Sequence, residues 1–241
     1  MSDKCSNKQK LDIFFAVVES VSDILSKQQL VEDETYESAQ MRMFRRMCLR
    51  MREIEVLLRN QHPHGALALS RQVYEALVIM NYINENCADK QLLKRFFAHE
   101  WVAALQLEIT RKELLCESIE DDEKILNEIA ASSGYATVEQ LKRNNYWWVA
   151  KGKGWKEMHE LLSSKTAYTY KKACAEVHVS LFSPLDYLDI ESNIKNVIWY
   201  AMLNFLMGIE IVSMLYQGDW APIIEKATKL IAECKLYASH T

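Results

Sequence analysis

The chain has 241 residues, of which 49% are hydrophobic and 26% are charged, and its formal net charge is −4. It contains six glycines and three prolines, whereas average usage would give a chain of this length roughly 29 of these two residues together. Sheet-rich folds need Gly and Pro at their many tight turns, so the composition excludes a sandwich, a barrel or a propeller. The apolar content also excludes a disordered chain, and we expect an all-α protein.

The first part of the chain shows helical periodicity that is interrupted at a few turn residues. In the first predicted helix, Leu11, Phe14 and Val18 recur at helical spacing. Pro63 lies where the third helix would begin, and Gly134 lies where a short acidic helix would end. The helices predicted in this part cover about residues 8–30, 33–60, 63–82, 89–116 and 118–131.

The second part contains shorter helices and one long apolar helix. The segment Ile194–Tyr216 is apolar on nearly every face, but its longest charge-free run, Asn196–Ile209, has only 14 residues. A bilayer requires roughly 18 to 20 such residues, so the pattern favours a central core helix over a membrane helix. We therefore predict one domain, residues 1–241, built as an irregular bundle of seven to nine helices around this segment. The other helices predicted here cover about residues 155–162, 167–181 and 222–237.

The cysteines and histidines show no metal-binding pattern. The six cysteines are widely scattered and form no Cys-x-x-Cys pair, which indicates neither a zinc site nor a disulfide framework. No His-Glu-x-x-His, Gly-x-Ser-x-Gly or P-loop motif is present. Scattered cysteines suit a reducing compartment, and the first residues lack an apolar leader. We expect a cytoplasmic protein with no cofactor, no metal and no membrane contact.

Arg71 and Glu75 are the first candidate site residues. They lie one helical turn apart, so they share a face, and most of their neighbours on that face are apolar. One interpretation is a structural ion pair, and the other is a polar site that holds charges for a ligand. His178 is a candidate third member, because it follows Tyr170 and Cys174 on one helical stripe and can act as an acid or a base near neutral pH.

Two segments resemble a prokaryotic family of unknown function, the DUF5677 type. These segments are ALALSRQVYEALVIMNYI (66–83) and YKKACAEVHVS (170–180). The resemblance places five residues at motif positions: Arg71, Glu75, Tyr170, His178 and Ser180. Cys174 stands where the family usually has Ser, which weakens any role for a hydroxyl there. The resemblance implies an all-helical fold and no particular activity.

A second resemblance is to the HEPN endoribonucleases, which are helical dimers of toxin and antiphage defence systems. Arg59 and His64 fit their R-x(4–6)-H motif, and a polar Asn60 follows the arginine as it often does there. This resemblance implies metal-free RNA cleavage, in which the histidine acts as a base and the arginine stabilises charge at the phosphate. Pro63 falls inside the motif and places it at a helix break.

A third candidate is a surface segment rich in cationic and aromatic residues, which we call the basic-aromatic segment (residues 142–156). In one interpretation the cations neutralise phosphate and the rings stack on the bases of a nucleic acid. In the other, the tryptophans cap the bundle core and the lysines remain in solvent. The members proposed to bind a ligand or nucleic acid are Lys142, Arg143, Tyr146, Trp147, Trp148, Lys151, Lys153 and Trp155.

Two functional hypotheses remain open from the sequence. The first is a protein that binds nucleic acid or a nucleotide, in its most specific form a metal-independent HEPN-like ribonuclease of a defence or toxin system. The second is a non-enzymatic helical module that binds a protein partner, with a structural Arg–Glu–His network. Arg42, Arg46 and Arg50 form a further stripe, with Arg45 and Arg52 nearby, which predicts a solvated helix face or a contact within a homodimer.

Overall fold

A computed structural model describes residues 6–28, 33–134, 136–143, 146–149, 153–162, 164–177 and 189–234. Within these ranges the chain forms ten helices and no strand, which confirms the all-α class. The helices are α1 (Asn7–Ser26), α2 (Tyr36–Arg59), α3 (Pro63–Glu85), α4 (Lys90–Leu114), α5 (Glu120–Ser133), α6 (Val138–Arg143), α7 (Trp155–Glu160), α8 (Ser164–Val177), α9 (Ile190–Ser213) and α10 (Ala221–Cys234).

The sequence predicted seven to nine helices, and the described ranges contain ten. The difference is α6, which has only six residues and therefore too few apolar positions to show a period. It begins at a capping box: Gln140 N donates to Thr137 Oγ1 at 3.2 Å, and Thr137 N donates to Gln140 Oε1 at 2.9 Å. Local hydrogen bonds, rather than an amphipathic pattern, start this helix.

Two boundary residues act as the sequence predicted, and a third caps the central helix. Pro63 is the first residue of α3, where its missing N–H removes a donor that would have no partner within the helix. Gly134 follows α5 with φ of 79°, a left-handed conformation that glycine adopts without strain. Asp189 caps α9 by accepting a hydrogen bond from Ser192 N at 2.9 Å. Pro63 and Asp189 thus set where α3 and α9 begin, and Gly134 sets where α5 ends.

Helix α9 lies at the centre of the bundle. It packs against α1, α2, α3, α8 and α10, and the Phe205 ring stacks on Phe44 of α2 with centroids 5.5 Å apart. Among the described helices, α9 alone is long and apolar enough to cross a membrane, but 72% of its most apolar window is buried inside the protein. The helix thus forms the central core of the bundle, as the sequence predicted.

Gly208 explains how closely α9 approaches α2. A Cβ atom added at this position would lie 2.9 Å from Met47 Cε and 3.3 Å from Phe44 Cδ2. Both distances are shorter than ordinary van der Waals contact, so the two helices meet where α9 has no side chain.

Helices α2 and α3 form an antiparallel hairpin that positions the candidate site. The short connection at residues 60–62 joins them, and they pack along their lengths. Met43, Met47 and Met51 of α2 turn inward and are buried. Arg46 and Arg50 lie beside this buried face, because they follow Met43 by three and seven residues.

Candidate functional site

Arg71 and Glu75 form an ion pair on α3, as their spacing predicted. Arg71 Nε donates a hydrogen bond to Glu75 Oε1 at 2.7 Å, and this bond raises the pKa of the guanidinium. The side chains are 27% and 29% exposed, so the pair is half-buried and still open to solvent. The pair is therefore accessible to a ligand.

The ion pair lines a groove between α2 and α3, which we call the arginine groove. It has a volume of about 470 Å³, and Arg46 and Arg50 of α2 line it opposite Arg71 and Glu75. Carboxylates hold both α2 arginines: Arg46 Nη2 lies 2.7 Å from Glu100 Oε1, and Arg50 Nη1 lies 2.5 Å from Glu53 Oε2. Three guanidinium groups thus converge on one concave surface.

Beside the arginine groove lies a group of rings that we call the aromatic cluster. Tyr170 stacks on Tyr74 with centroids 4.7 Å apart and contacts Trp155 at 5.5 Å. Trp155 in turn lies 5.4 Å from Tyr146. Arg71 joins the groove to this cluster, because its guanidinium carbon lies 5.7 Å from the centre of the Tyr170 ring. The members of the cluster are Tyr74, Tyr146, Trp155, His159 and Tyr170.

A hydrogen bond between Tyr74 and His159 joins α3 to α7 within the aromatic cluster. The Tyr74 hydroxyl bonds to His159 Nδ1, and burial raises the pKa of the phenol. Burial lowers the pKa of His159, and the nearby Lys171 lowers it further. Burial therefore keeps the phenol protonated and favours the neutral form of the imidazole.

Sequence reasoning missed His159 and Tyr74 and chose His178 instead. A signal for Tyr74 was available, because it follows Arg71 by three residues and so lies one turn along the same helix. His159 lies on the short α7, where no local pattern singles it out. His178 and Ser180 lie outside the described residues, whereas Cys174 hydrogen-bonds Tyr170 and so borders the cluster.

Two tryptophans of the basic-aromatic segment belong to the core. Trp147 and Trp148 are only 3% and 1% exposed. Trp148 packs edge-on against Tyr82 and Phe96, with centroids 6.0 and 5.1 Å away. Buried rings cannot stack on bases in this conformation, which corrects that part of the surface hypothesis. The physical reason is that burying two indole rings stabilises the bundle more than exposing them would.

The charged members of the same segment occupy different environments. Lys142 Nζ lies 3.3 Å from Glu123, and Arg143 Nη1 lies 2.9 Å from Glu139. Lys153 is exposed, and Lys151 lies outside the described residues. Tyr146 and Trp155 are partly buried in the aromatic cluster. Among the described residues of the segment, this aromatic part lies next to Arg71.

Arg59 and His64 contact different parts of the bundle. Arg59 pairs with Glu55 of its own helix and with Asp12 of α1, and it lies over the Phe15 ring. His64 Nδ1 lies 2.7 Å from Glu176 of α8. The described partners of these two residues therefore lie on different helices, α1 and α2 for Arg59 and α8 for His64. The described residues also contain no group of three or more His, Cys, Asp or Glu side chains that could hold a metal ion.

Comparison with known protein families matches residues 37–196 to one described as a family of unknown function, DUF5677. The chain belongs to this family. The DUF5677 region contains α2 to α8, and with them the arginine groove and the aromatic cluster. Comparisons with curated proteins and with solved structures each gave no match. The HEPN resemblance is not supported by these comparisons.

Proposed function

We propose that the protein binds a phosphorylated ligand, a nucleotide or a single-stranded RNA, in the arginine groove. The observation that carries this proposal is the convergence of Arg46, Arg50 and Arg71 on one cavity of about 470 Å³. A guanidinium offers parallel N–H donors that match two phosphate oxygens, so arginine is the side chain best suited to bind phosphate. The net charge of −4 gives no general attraction for polyanions, and a local cluster must supply it.

The environment of Arg71 supports a binding role. Glu75 accepts a hydrogen bond from Arg71 Nε, and the guanidinium lies over the Tyr170 ring. These contacts fix the orientation of the group, so less side-chain entropy is lost when a phosphate binds. A guanidinium held in this way has N–H groups left to donate to a ligand.

Aromatic faces next to the groove support a nucleotide rather than a simple phosphate. Burial raises the pKa of Tyr146, the Glu75 carboxylate raises it further, and Arg71 lowers it, so this hydroxyl lies near both charges. Tyr146 and Trp155 keep part of their surface accessible. Stacking of a base on such a ring contributes about 1–3 kcal/mol.

Calorimetric titration with a nucleoside monophosphate and with a single-stranded RNA tests the proposal. We expect both to bind, and Arg71→Ala to weaken each by about tenfold or more, because a charge-assisted hydrogen bond is lost. Arg111→Ala is the matched control, since Arg111 is an exposed arginine that also pairs with glutamates. Absence of binding, or equal effects of the two substitutions, would contradict the proposal.

Metal-independent RNA cleavage in a defence or toxin system is the most specific form of this proposal. Its support is the neutral imidazole of His159, a group able to exchange a proton near pH 7, only one ring away from Arg71. RNA incubated with the protein and a chelator should be cut, and His159→Gln should abolish cutting. Loss of cutting in Arg59→Ala or His64→Ala, with His159→Gln active, would instead favour the HEPN-like motif.

Binding without cleavage would leave a nucleic-acid-binding protein that is not an enzyme. If the protein binds neither RNA nor nucleotide, the alternative is the interaction module, in which Arg71 and Glu75 only stabilise the hairpin. Arg71→Ala would then lower the free energy of unfolding by about 1 kcal/mol or less, since half-exposed pairs contribute little. Thermal denaturation of the same variant measures this effect.

A further inference from the structure

A second groove lies on the other side of α2. It has a volume of about 410 Å³ and is bordered by α1, with Arg45 and Arg52 among its lining residues. Cys48 is also part of the lining, and burial raises the pKa of its thiol to about 12, so it stays uncharged. The charges that line this groove are therefore positive.

The two arginines of the second groove have no carboxylate partner among the described residues. Arg45 Nη2 donates to the Leu25 carbonyl at 3.4 Å, and no ion pair involves Arg52 in the described ranges. In the arginine groove, by contrast, each arginine already has a glutamate. The strongest unneutralised positive charge on this face of α2 is therefore in the second groove.

Leu49 separates the two grooves and lines both of them. Its side chain is 59% exposed, so it forms a low apolar ridge between two cationic depressions. The helical repeat of 3.6 residues places Arg45 and Arg52 on one side of this ridge, and Arg46 and Arg50 on the other. Arg45 and Arg52 are about 10 Å apart along the axis at 1.5 Å per residue, so one phosphate group cannot reach the whole surface.

From this arrangement we infer that the ligand is a nucleic-acid strand that crosses α2 at Leu49 and places phosphates in both grooves. This inference rests on the proposed function, because it takes the arginine groove as the first phosphate site. A mononucleotide fills only that groove, whereas an oligonucleotide also contacts Arg45 and Arg52. A sugar or base of the strand lies on Leu49, since an exposed leucine offers apolar contact between the charged sites.

Titration of the full chain with adenosine monophosphate and with a single-stranded RNA of about eight nucleotides tests the inference. We expect Arg52→Ala and Arg45→Ala each to weaken RNA binding by about tenfold and to leave mononucleotide binding unchanged. Each substitution should also reduce the slope of log K against log salt concentration by about 0.7, the value for one phosphate contact of a single strand. Arg111→Ala should change neither affinity nor slope.

The outcomes distinguish failure of the inference about the second groove from failure of the proposed function. If the mononucleotide binds and RNA binding is unaffected by both substitutions, the strand does not reach the second groove and the inference is wrong, while the proposed function stands. If neither ligand binds the native protein, the proposed function fails and the inference fails with it. Far-ultraviolet circular dichroism of each variant confirms that the helices are retained, which is expected because Arg52 is exposed and Arg45 is partly exposed.

Discussion

At Tyr74, one hydroxyl group connects the hydrophobic core to the candidate site. The ring is fully buried, yet its oxygen reaches His159 on a different helix. A buried phenol needs a partner, because an unsatisfied hydroxyl in the interior costs free energy. The same bond that satisfies Tyr74 also orients the His159 ring within the aromatic cluster.

Tyr74→Phe should raise the pKa of His159 toward its ordinary value of 6.5. Burial and Lys171 lower this pKa, and a phenol that donates to Nδ1 favours the neutral form further, a preference that is lost with the hydroxyl. We expect the free energy of unfolding to fall by about 1 kcal/mol. Nuclear magnetic resonance titration of the histidines measures the pKa. A value that is unchanged or lower would show that the hydroxyl does not act as the donor.

Trp148→Ala should lower the free energy of unfolding by about 3–5 kcal/mol, because a fully buried indole is removed and a cavity remains. The backbone carbonyl of Trp148 also accepts a hydrogen bond from Arg95 Nε of α4 at 3.1 Å. Trp101→Ala is the matched control, since Trp101 is 74% exposed and its loss should change stability by about 0.5 kcal/mol or less. Chemical denaturation with urea compares the two variants. Equal effects would contradict the burial of Trp148.

At the scale of the helices, the space around two helical glycines shows where helices pack closely and where a side chain can be added. Gly208→Val should lower the free energy of unfolding by about 1–3 kcal/mol, because the added methyls meet Phe44 and Met47. Gly208→Ala should cost less, since the nearest atom is the flexible end of Met47. Gly65→Ala, also within a helix, places its Cβ 3.4 Å from Leu57 and should stabilise by about 0.5–1 kcal/mol. Thermal denaturation of the three variants should give this order, and a neutral Gly208→Val would show that α9 and α2 are further apart.

Helical periodicity predicted the elements well because it depends on one helix at a time. The spacing of apolar residues in α9 is a property of that segment, and so is the pairing of Arg71 with Glu75 one turn later. The arginine groove depends on which helix packs beside which, and nothing in α2 alone indicates that Arg46 and Arg50 face Arg71. The same limit applies to Trp147 and Trp148, whose burial depends on α3 and α4 rather than on their own basic-aromatic segment.

At the scale of the whole molecule, stability should fall as the pH is lowered from about 7.5 to 5.5. Burial lowers the pKa of His99 and of His159 below the ordinary value of 6.5. In this range the unfolded chain binds protons that the native state resists, so protonation favours unfolding. Thermal midpoints measured across the range should decrease. His99→Gln should flatten the decrease, and His62→Gln, which alters an exposed imidazole, should not.

Below about pH 5 a second group of side chains extends the loss of stability. Hydrogen bonds lower the pKa of three carboxyls in the native state. Glu108 accepts from Arg111, Glu157 accepts from the backbone amides of residues 157 and 154, and Asp189 accepts from the Ser192 amide. Their stabilisation is present above the ordinary values near 4 to 4.5 and is lost as the pH falls through the lower native values. The free energy of unfolding should therefore decrease in two pH ranges, and a value that is constant below about pH 5 would contradict this assignment.

The central position of α9 has a consequence for how the protein is made. Helix α3 packs more extensively on α9 than on α7 or α8, and α1 packs on both α9 and α10, so helices made early contact helices made late. At about 5–20 residues per second, a ribosome needs on the order of 10 s to extend the chain from Glu85 to Ile190. Throughout that interval the surfaces of α1, α2 and α3 that pack on α9 lack this partner. The core of the bundle is therefore complete only after α9 has been synthesised.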